Sequence, residues 1–414
     1  MEDTFTRTAF RLSFANLLVV SLLGLLLRAA RIWTIPHLNY PFLLHGHSHF
    51  AFSAWAFSAL FLLLMLVFLD PASRARKAYR RIFWLTQLAA YGMLFSFPFE
   101  GYAAISITFS TLFVAATYWF AWRFYRDTRS PGPQPLSIRL AHAGLLYLLV
   151  SSLGPFCLGP LMALGYANTP VYFDAVYFYL HFQYNGWFSF AVLALLFRFL
   201  ETRGIAGDPR LGTRMVRWLT YSCLPAVALS MLWSRPPLWV YVLAWIGAAA
   251  QTYGLYCFIR YLLGGSPSVL RRLYRERSSI PAVQQLLWSL ALTAFLLKLL
   301  MQAASAFPSV AALVAAYRPF VIGYLHLVLL GFVTLFILGS FVERGILHVE
   351  QRRFRFFLYV FVAGILVTEL LLFAQAGCDA LGYALPGVDR ALLILSLPLP
   401  LGLAGLQAAL GRSR

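Results

Sequence analysis

Five of the eight histidines sit in stretches that otherwise offer almost nothing but hydrocarbon. His45, His47 and His49 open one such stretch in Leu44-His45-Gly46-His47-Ser48-His49-Phe50. His181 lies within Tyr177–Trp187, and His326 within Gly323–Leu329. Imidazole is the side chain most often found on metals and haem iron. An ionisable group inside a membrane span is costly and points first to function. His45 and His49 are four residues apart and share one face of a helix, whereas His47 points roughly the other way. The same stretches hold Glu100, Lys298, Glu369 and Tyr324, together with Gln183, Asn185, Gln302 and Gln375. These could be proton carriers or partners for a charged cofactor edge. The plain reading stands beside this one: a single transmembrane histidine often only hydrogen-bonds a neighbouring helix. Likewise, Lys298 and Glu369 could form an ion pair that only fixes packing.

The elements that must position these residues are transmembrane helices. Of 414 residues, 61% are hydrophobic and 11% charged, and mean hydropathy is +0.74. A soluble domain of this size carries about a quarter charged residues. The apolar runs are about twenty residues long, enough to cross a bilayer as helix. No ten-residue alternation suggests a β-barrel. The sequence predicts an all-α polytopic membrane protein, one domain over 1–414, with about twelve spans. They lie roughly at 10–30, 43–69, 80–99, 102–125, 138–165, 171–200, 213–233, 237–263, 282–306, 319–342, 355–377 and 388–410. Pro and Gly punctuate the turns, as at Pro71, Pro131-Gly132-Pro133 and Pro386-Gly387.

The net charge of +19 is distributed in a way that excludes a nucleic-acid partner. The basic residues cluster in alternate loops, among them Arg74–Arg81, Arg198–Arg217 and Arg260–Arg277. With the N-terminus in the cytoplasm, twenty-seven fall on the inner side and five on the outer, leaving Lys298 within a span. By the positive-inside rule both termini are cytoplasmic, as in a multi-pass protein of a bacterial inner membrane. The start, Met1-Glu2-Asp3-Thr4-Phe5, is acidic, so the first apolar run reads as a retained helix. The four cysteines, Cys157, Cys223, Cys257 and Cys378, stand alone and read as small buried hydrophobes. There is no phosphate-binding glycine loop and no soluble domain to carry ATP-driven chemistry.

In that orientation the unusual polar residues gather in the outer half of the bilayer. His45, His47 and His49 lie within about two turns of the outer end of the second span, and Glu100 at the outer end of the third. His181 lies about 15 Å along the sixth span and His326 about 10 Å along the tenth. Lys298 and Gln302, and Glu369 with Gln375, occupy the outer halves of the ninth and eleventh. His37, His142 and His348 fall near the interfaces and read as structural.

Twelve spans with histidines on the second, sixth and tenth resemble the catalytic subunit of the haem–copper oxygen and nitric oxide reductases. The resemblance implies a haem held by one of His45, His47 and His49 together with His326, and a copper or iron position beginning at His181. Two features of that family are missing. The seventh span reads Met215–Leu224 with no His-His pair, and Tyr324 stands where a second haem ligand of the tenth would be. In length the chain is similar to the NnrS-like haem and copper proteins of nitric oxide stress. The similarity lies in His47-Ser48-His49-Phe50-Ala51-Phe52-Ser53-Ala54-Trp55 and His326-Leu327-Val328-Leu329-Leu330-Gly331. It further resembles bacterial membrane proteins sharing the strings around Phe99-Glu100-Gly101-Tyr102 and His181–Trp187.

The expectation is therefore a membrane haem b protein, with or without copper, that binds a diatomic gas or exchanges electrons with it or with a quinone. Its site residues are His45, His47, His49, His181 and His326 as ligands, with Glu100, Lys298, Glu369 and Tyr324 as proton or propionate partners. If it turns substrate over, it is an oxidoreductase without the helix-seven pair. Its partners are the lipid bilayer, a small gas or quinone, and other respiratory subunits. The competing readings are a metal-ion or solute transporter using the same histidines, against which the lack of an inner-half relay counts, and a non-catalytic respiratory subunit.

Overall fold

The structure is a computed structural model describing residues 4–347 and 349–411. His348, Arg412 and Arg414 lie outside the described residues. Among those described there is no strand. Eleven helices are long and apolar enough to cross a membrane. These are α1 (Thr4–Ala29), α2 (Tyr40–Phe68), α3 (Lys77–Glu100), α4 (Ala104–Thr128), α5 (Leu136–Ala163), α7 (Pro209–Ser234), α8 (Leu238–Leu263), α9 (Ala282–Ala304), α10 (Arg318–Glu343), α11 (Arg352–Ala380) and α12 (Val388–Ala409). The remaining expected span is also continuous helix, α6, over Pro170–Thr202. Tyrosines, Gln183 and Asn185 replace aliphatic residues there, which lowers its hydropathy without breaking the helix.

The described residues form two compact units, one of those within 4–127 and 337–411 and one of 128–336. In the first unit α2 packs along α3 and against α1, and α11 lies along α12. The core of α2 is dense: Leu60, Leu62, Leu63 and Leu64 are fully buried. In the second unit α5 packs on α6, α7 on α8, and α9 on α10. Glycines set several of these approaches. A Cβ on Gly186 of α6 would stand 2.4 Å from Tyr147 Cβ, and one on Gly247 of α8 would stand 2.4 Å from the Ala226 backbone of α7.

Three helices depart from α geometry at matching places. In α2 a π-helical segment runs Ala51–Phe57, in α6 Phe182–Phe188 and in α10 Leu327–Thr334. Each begins within two residues of His49, His181 or His326. Single π turns inside α-helices concentrate at functional sites.

Candidate functional site

The three histidine helices share a pattern that hydropathy does not show. Five residues after His49, His181 and His326 stands a small residue: Ala54, Gly186 and Gly331. The next residue is a buried aromatic: Trp55, Trp187 and Phe332. A hydroxyl closes or directly follows each π segment: Ser58, Ser189 and Thr334. Widening the helix frees carbonyls from the usual i to i+4 bonds, and buried carbonyls need other donors. Ser58 Oγ donates to the Ser53 carbonyl at 2.9 Å, and Ser189 Oγ to the Tyr184 carbonyl at 2.5 Å. Asn16 of α1 donates to the Ala54 carbonyl at 2.9 Å.

In the first unit these donors extend into a polar chain. Asn16 Nδ2 also donates to Gln87 Oε1 at 2.9 Å, Tyr91 donates to Asn16 Oδ1 at 2.7 Å, and Gln87 Nε2 donates to Ser58 Oγ at 2.7 Å. His45 and His49 face the same side of α2, as their spacing predicts. His49 stacks on Phe97 with ring centroids 4.4 Å apart, and its Nε2 meets the Tyr102 hydroxyl at 2.9 Å. His45 packs edge-on against the same Tyr102 ring. His47 turns the other way, toward α1. A Cβ on Gly24 would lie 3.3 Å from His47 Cε1, and the Val20 backbone engages the ring. His47 Nδ1 is sealed from solvent and has no hydrogen-bond partner. Arg28 acts electrostatically on both His47 and the buried Glu369. Glu100 has a structural task in this arrangement: as the last residue of α3, it accepts the Ser106 backbone N–H at 2.7 Å and so caps α4.

In the second unit His181 is 2% exposed and both ring nitrogens are engaged. Nε2 meets the Cys223 carbonyl at 2.9 Å, and Nδ1 meets Asn185 Nδ2 at 3.0 Å. A carbonyl only accepts and an amide N–H₂ only donates. The imidazole is therefore the neutral tautomer with its proton on Nε2, and it presents no spare lone pair. The Cys223 carbonyl is available because α7 changes pitch there. Pro225 has no N–H, and the Val227 N–H bonds Leu224 at 3.3 Å in a tighter turn. A metal on Nε2 of His181 would have to displace the Cys223 bond.

Tyr324, on the helix that carries His326, comes close to the Asn185 amide and to Tyr184, but its hydroxyl completes no hydrogen bond. Lys298 of α9 is 1% exposed and donates to Ser189 Oγ at 2.8 Å. His142 Nε2 pairs with Thr128 at 2.8 Å, which agrees with a packing role.

Among the described residues no group of three or more His, Cys, Asp or Glu is placed to hold a metal ion. Haem brings four nitrogens of its own and asks the chain for one or two ligands. His47, with an orphaned buried nitrogen beside a glycine, suits that smaller demand. Sequence reasoning missed Asn16, Gln87, Arg28, Ser189 and Cys223. Aligning the chain on its histidines would have exposed the shared small-aromatic pair, but the cross-helix donors carry no sequence signal. No protein-family model and no curated protein matches the chain.

Proposed function

We propose that this chain is a membrane haem b protein that binds a diatomic gas, or passes electrons to it or to a quinone. In this reading it crosses a bacterial inner membrane twelve times with both termini in the cytoplasm. One observation carries the reading: in a stretch with no water to spare, His47 keeps an unpartnered Nδ1. Leaving a buried nitrogen without a partner costs about 1–3 kcal/mol, a cost removed if a ligand takes the lone pair. The π segments behind His49, His181 and His326 support the same reading, since they reposition side chains at functional places.

Bound haem supplies one-electron chemistry, with an iron closed to gases under two histidines and open under one. The chain's own contributions follow from its residues. His47 and His326 are the candidate iron ligands, each on its own helix. Arg28 is the cation at hand for an anionic cofactor edge, as it already is for Glu369. Tyr102 and Phe97 hold the His49 ring in place. His181, with both nitrogens committed, serves as a hydrogen-bonding residue and not as a ligand.

The test is a visible spectrum of purified protein, oxidised and then reduced, with pyridine haemochrome and metal analysis on the same sample. Stoichiometric b-type haem supports the reading, and loss of that signal in His326→Ala or His47→Ala assigns the ligand. A protein without haem, or with full haem in both variants, refutes the haem reading or the ligand assignment respectively.

A further inference from the structure

Lys298 poses a question that packing alone does not answer. In the first unit the hydroxyl behind the π segment, Ser58, receives its hydrogen bond from the neutral amide of Gln87 at 2.7 Å. In the second unit the corresponding hydroxyl, Ser189, receives it from the ammonium of Lys298 at 2.8 Å. An amide does the same structural work without the cost of burying a charge. Lys298 makes no ion pair among the described residues. The titratable groups of packed elements whose charge acts on it or is acted on by it are Cys223 of α7 and His181 of α6.

Beside Lys298 lies a cavity of about 20 Å³ whose wall combines Asn185, Ser189, Ser222, Cys223 and Gln251 with apolar side chains, among them Leu219 and Phe295. A buried water needs roughly 10–15 Å³ and two to four polar partners, so one water fits and a second does not. Lys298 and Asn185 both have unspent capacity on this wall. An ammonium has three N–H donors, and Lys298 uses one on Ser189. Asn185 gives its N–H₂ to His181 but leaves Oδ1 without a partner.

We propose that the cavity is a built water site, and that Lys298, this water and Asn185 form a hydrogen-bond relay that orients the Asn185 amide, so that Nδ2 and not Oδ1 faces His181 Nδ1. Lys298 Nζ donates to Ser189 and keeps further N–H groups, so the water accepts from it and passes its own O–H to Asn185 Oδ1. That polarity orients the amide with Nδ2 toward His181 Nδ1. His181 then carries its proton on Nε2 and donates to the Cys223 carbonyl, which only accepts. Every link pairs one donor with one acceptor. Lys298 is thus a positioning residue, acting on His181 through two intermediaries.

The experiment is nitrogen-15 histidine NMR of the full-length protein in lipid, with the His181 resonances identified by their loss in His181→Gln. The wild type should show a neutral ring protonated on Nε2. Lys298→Met keeps the length but removes the donor, and should weaken the Asn185 hydrogen bond, read as a shifted His181 Nδ1 resonance, while Nε2 stays protonated against the Cys223 carbonyl. Lys298→Gln, which copies the Gln87 arrangement and so preserves the fold, should also shift the His181 Nδ1 resonance, because an amide can accept from the water as well as donate to it. Tyr324→Phe should leave His181 unchanged. The relay is refuted if the His181 Nδ1 resonance is unchanged in both Lys298 variants. It is equally refuted if Tyr324→Phe alone disturbs the ring, since Tyr324 would then be holding the amide. Water density between Lys298 and Asn185 in a high-resolution map supports the proposal, and an empty cavity overturns it.

Discussion

Asn16 shows how much one residue can hold in this interior. It is fully buried and makes three hydrogen bonds, to the Ala54 carbonyl, to Gln87 and from Tyr91. Asn16→Leu keeps the volume and strands the Ala54 carbonyl and the Gln87 oxygen together. The expected loss is about 1–3 kcal/mol per stranded group, read as a lower midpoint in detergent-mediated unfolding. Gln87→Leu should cost less, because Ser58 retains the Ser53 carbonyl as its acceptor. The histidines were legible as candidates because imidazole stands out among leucines, and the i, i+4 relation of His45 and His49 placed them on one face. Which nitrogen each ring would have free was not legible. That depends on Tyr102, Val20 and Cys223, residues distant in sequence and unremarkable in type.

At the level of elements, the spans were readable almost throughout because twenty apolar residues have few alternatives in lipid. The boundaries moved by several residues where helices run past the hydrocarbon, as at α2, which begins at Tyr40 and not 43. The π segments were not readable. Hydropathy counts side chains and is blind to a carbonyl that changes partner. Gly186 lies in one of these segments, directly against Tyr147 of α5. Gly186→Ala must push α5 and α6 apart or bend α6, at a cost of about 1–3 kcal/mol. The expected signature is a lower unfolding midpoint together with a disturbed His181 resonance. Gly159→Ala, whose Cβ meets nothing within 4 Å, should leave both unchanged.

For the whole molecule, the governing pattern is the uneven distribution of arginine. The positive-inside rule predicts that loops carrying Arg74–Arg81 and Arg271–Arg277 face the cytoplasm. In a cysteine-free background, Ser279→Cys should resist a membrane-impermeant maleimide in intact cells and react in inverted vesicles. Asn168→Cys should do the reverse. Matching behaviour at both sites would reject the orientation. Of the thirty-three basic residues only Lys77 and Lys298 are lysines, and they differ completely in access: Lys77 is exposed and Lys298 sealed. Toward amine-directed reagents the folded chain therefore presents a single side chain. Among side chains an amine-reactive dye should attach at Lys77 alone, beside the N-terminal amine, and a lysine-specific protease should cut the native protein there and nowhere else. Denaturation should uncover the second site, so that labelling stoichiometry itself becomes a gauge of how much of the second unit is folded.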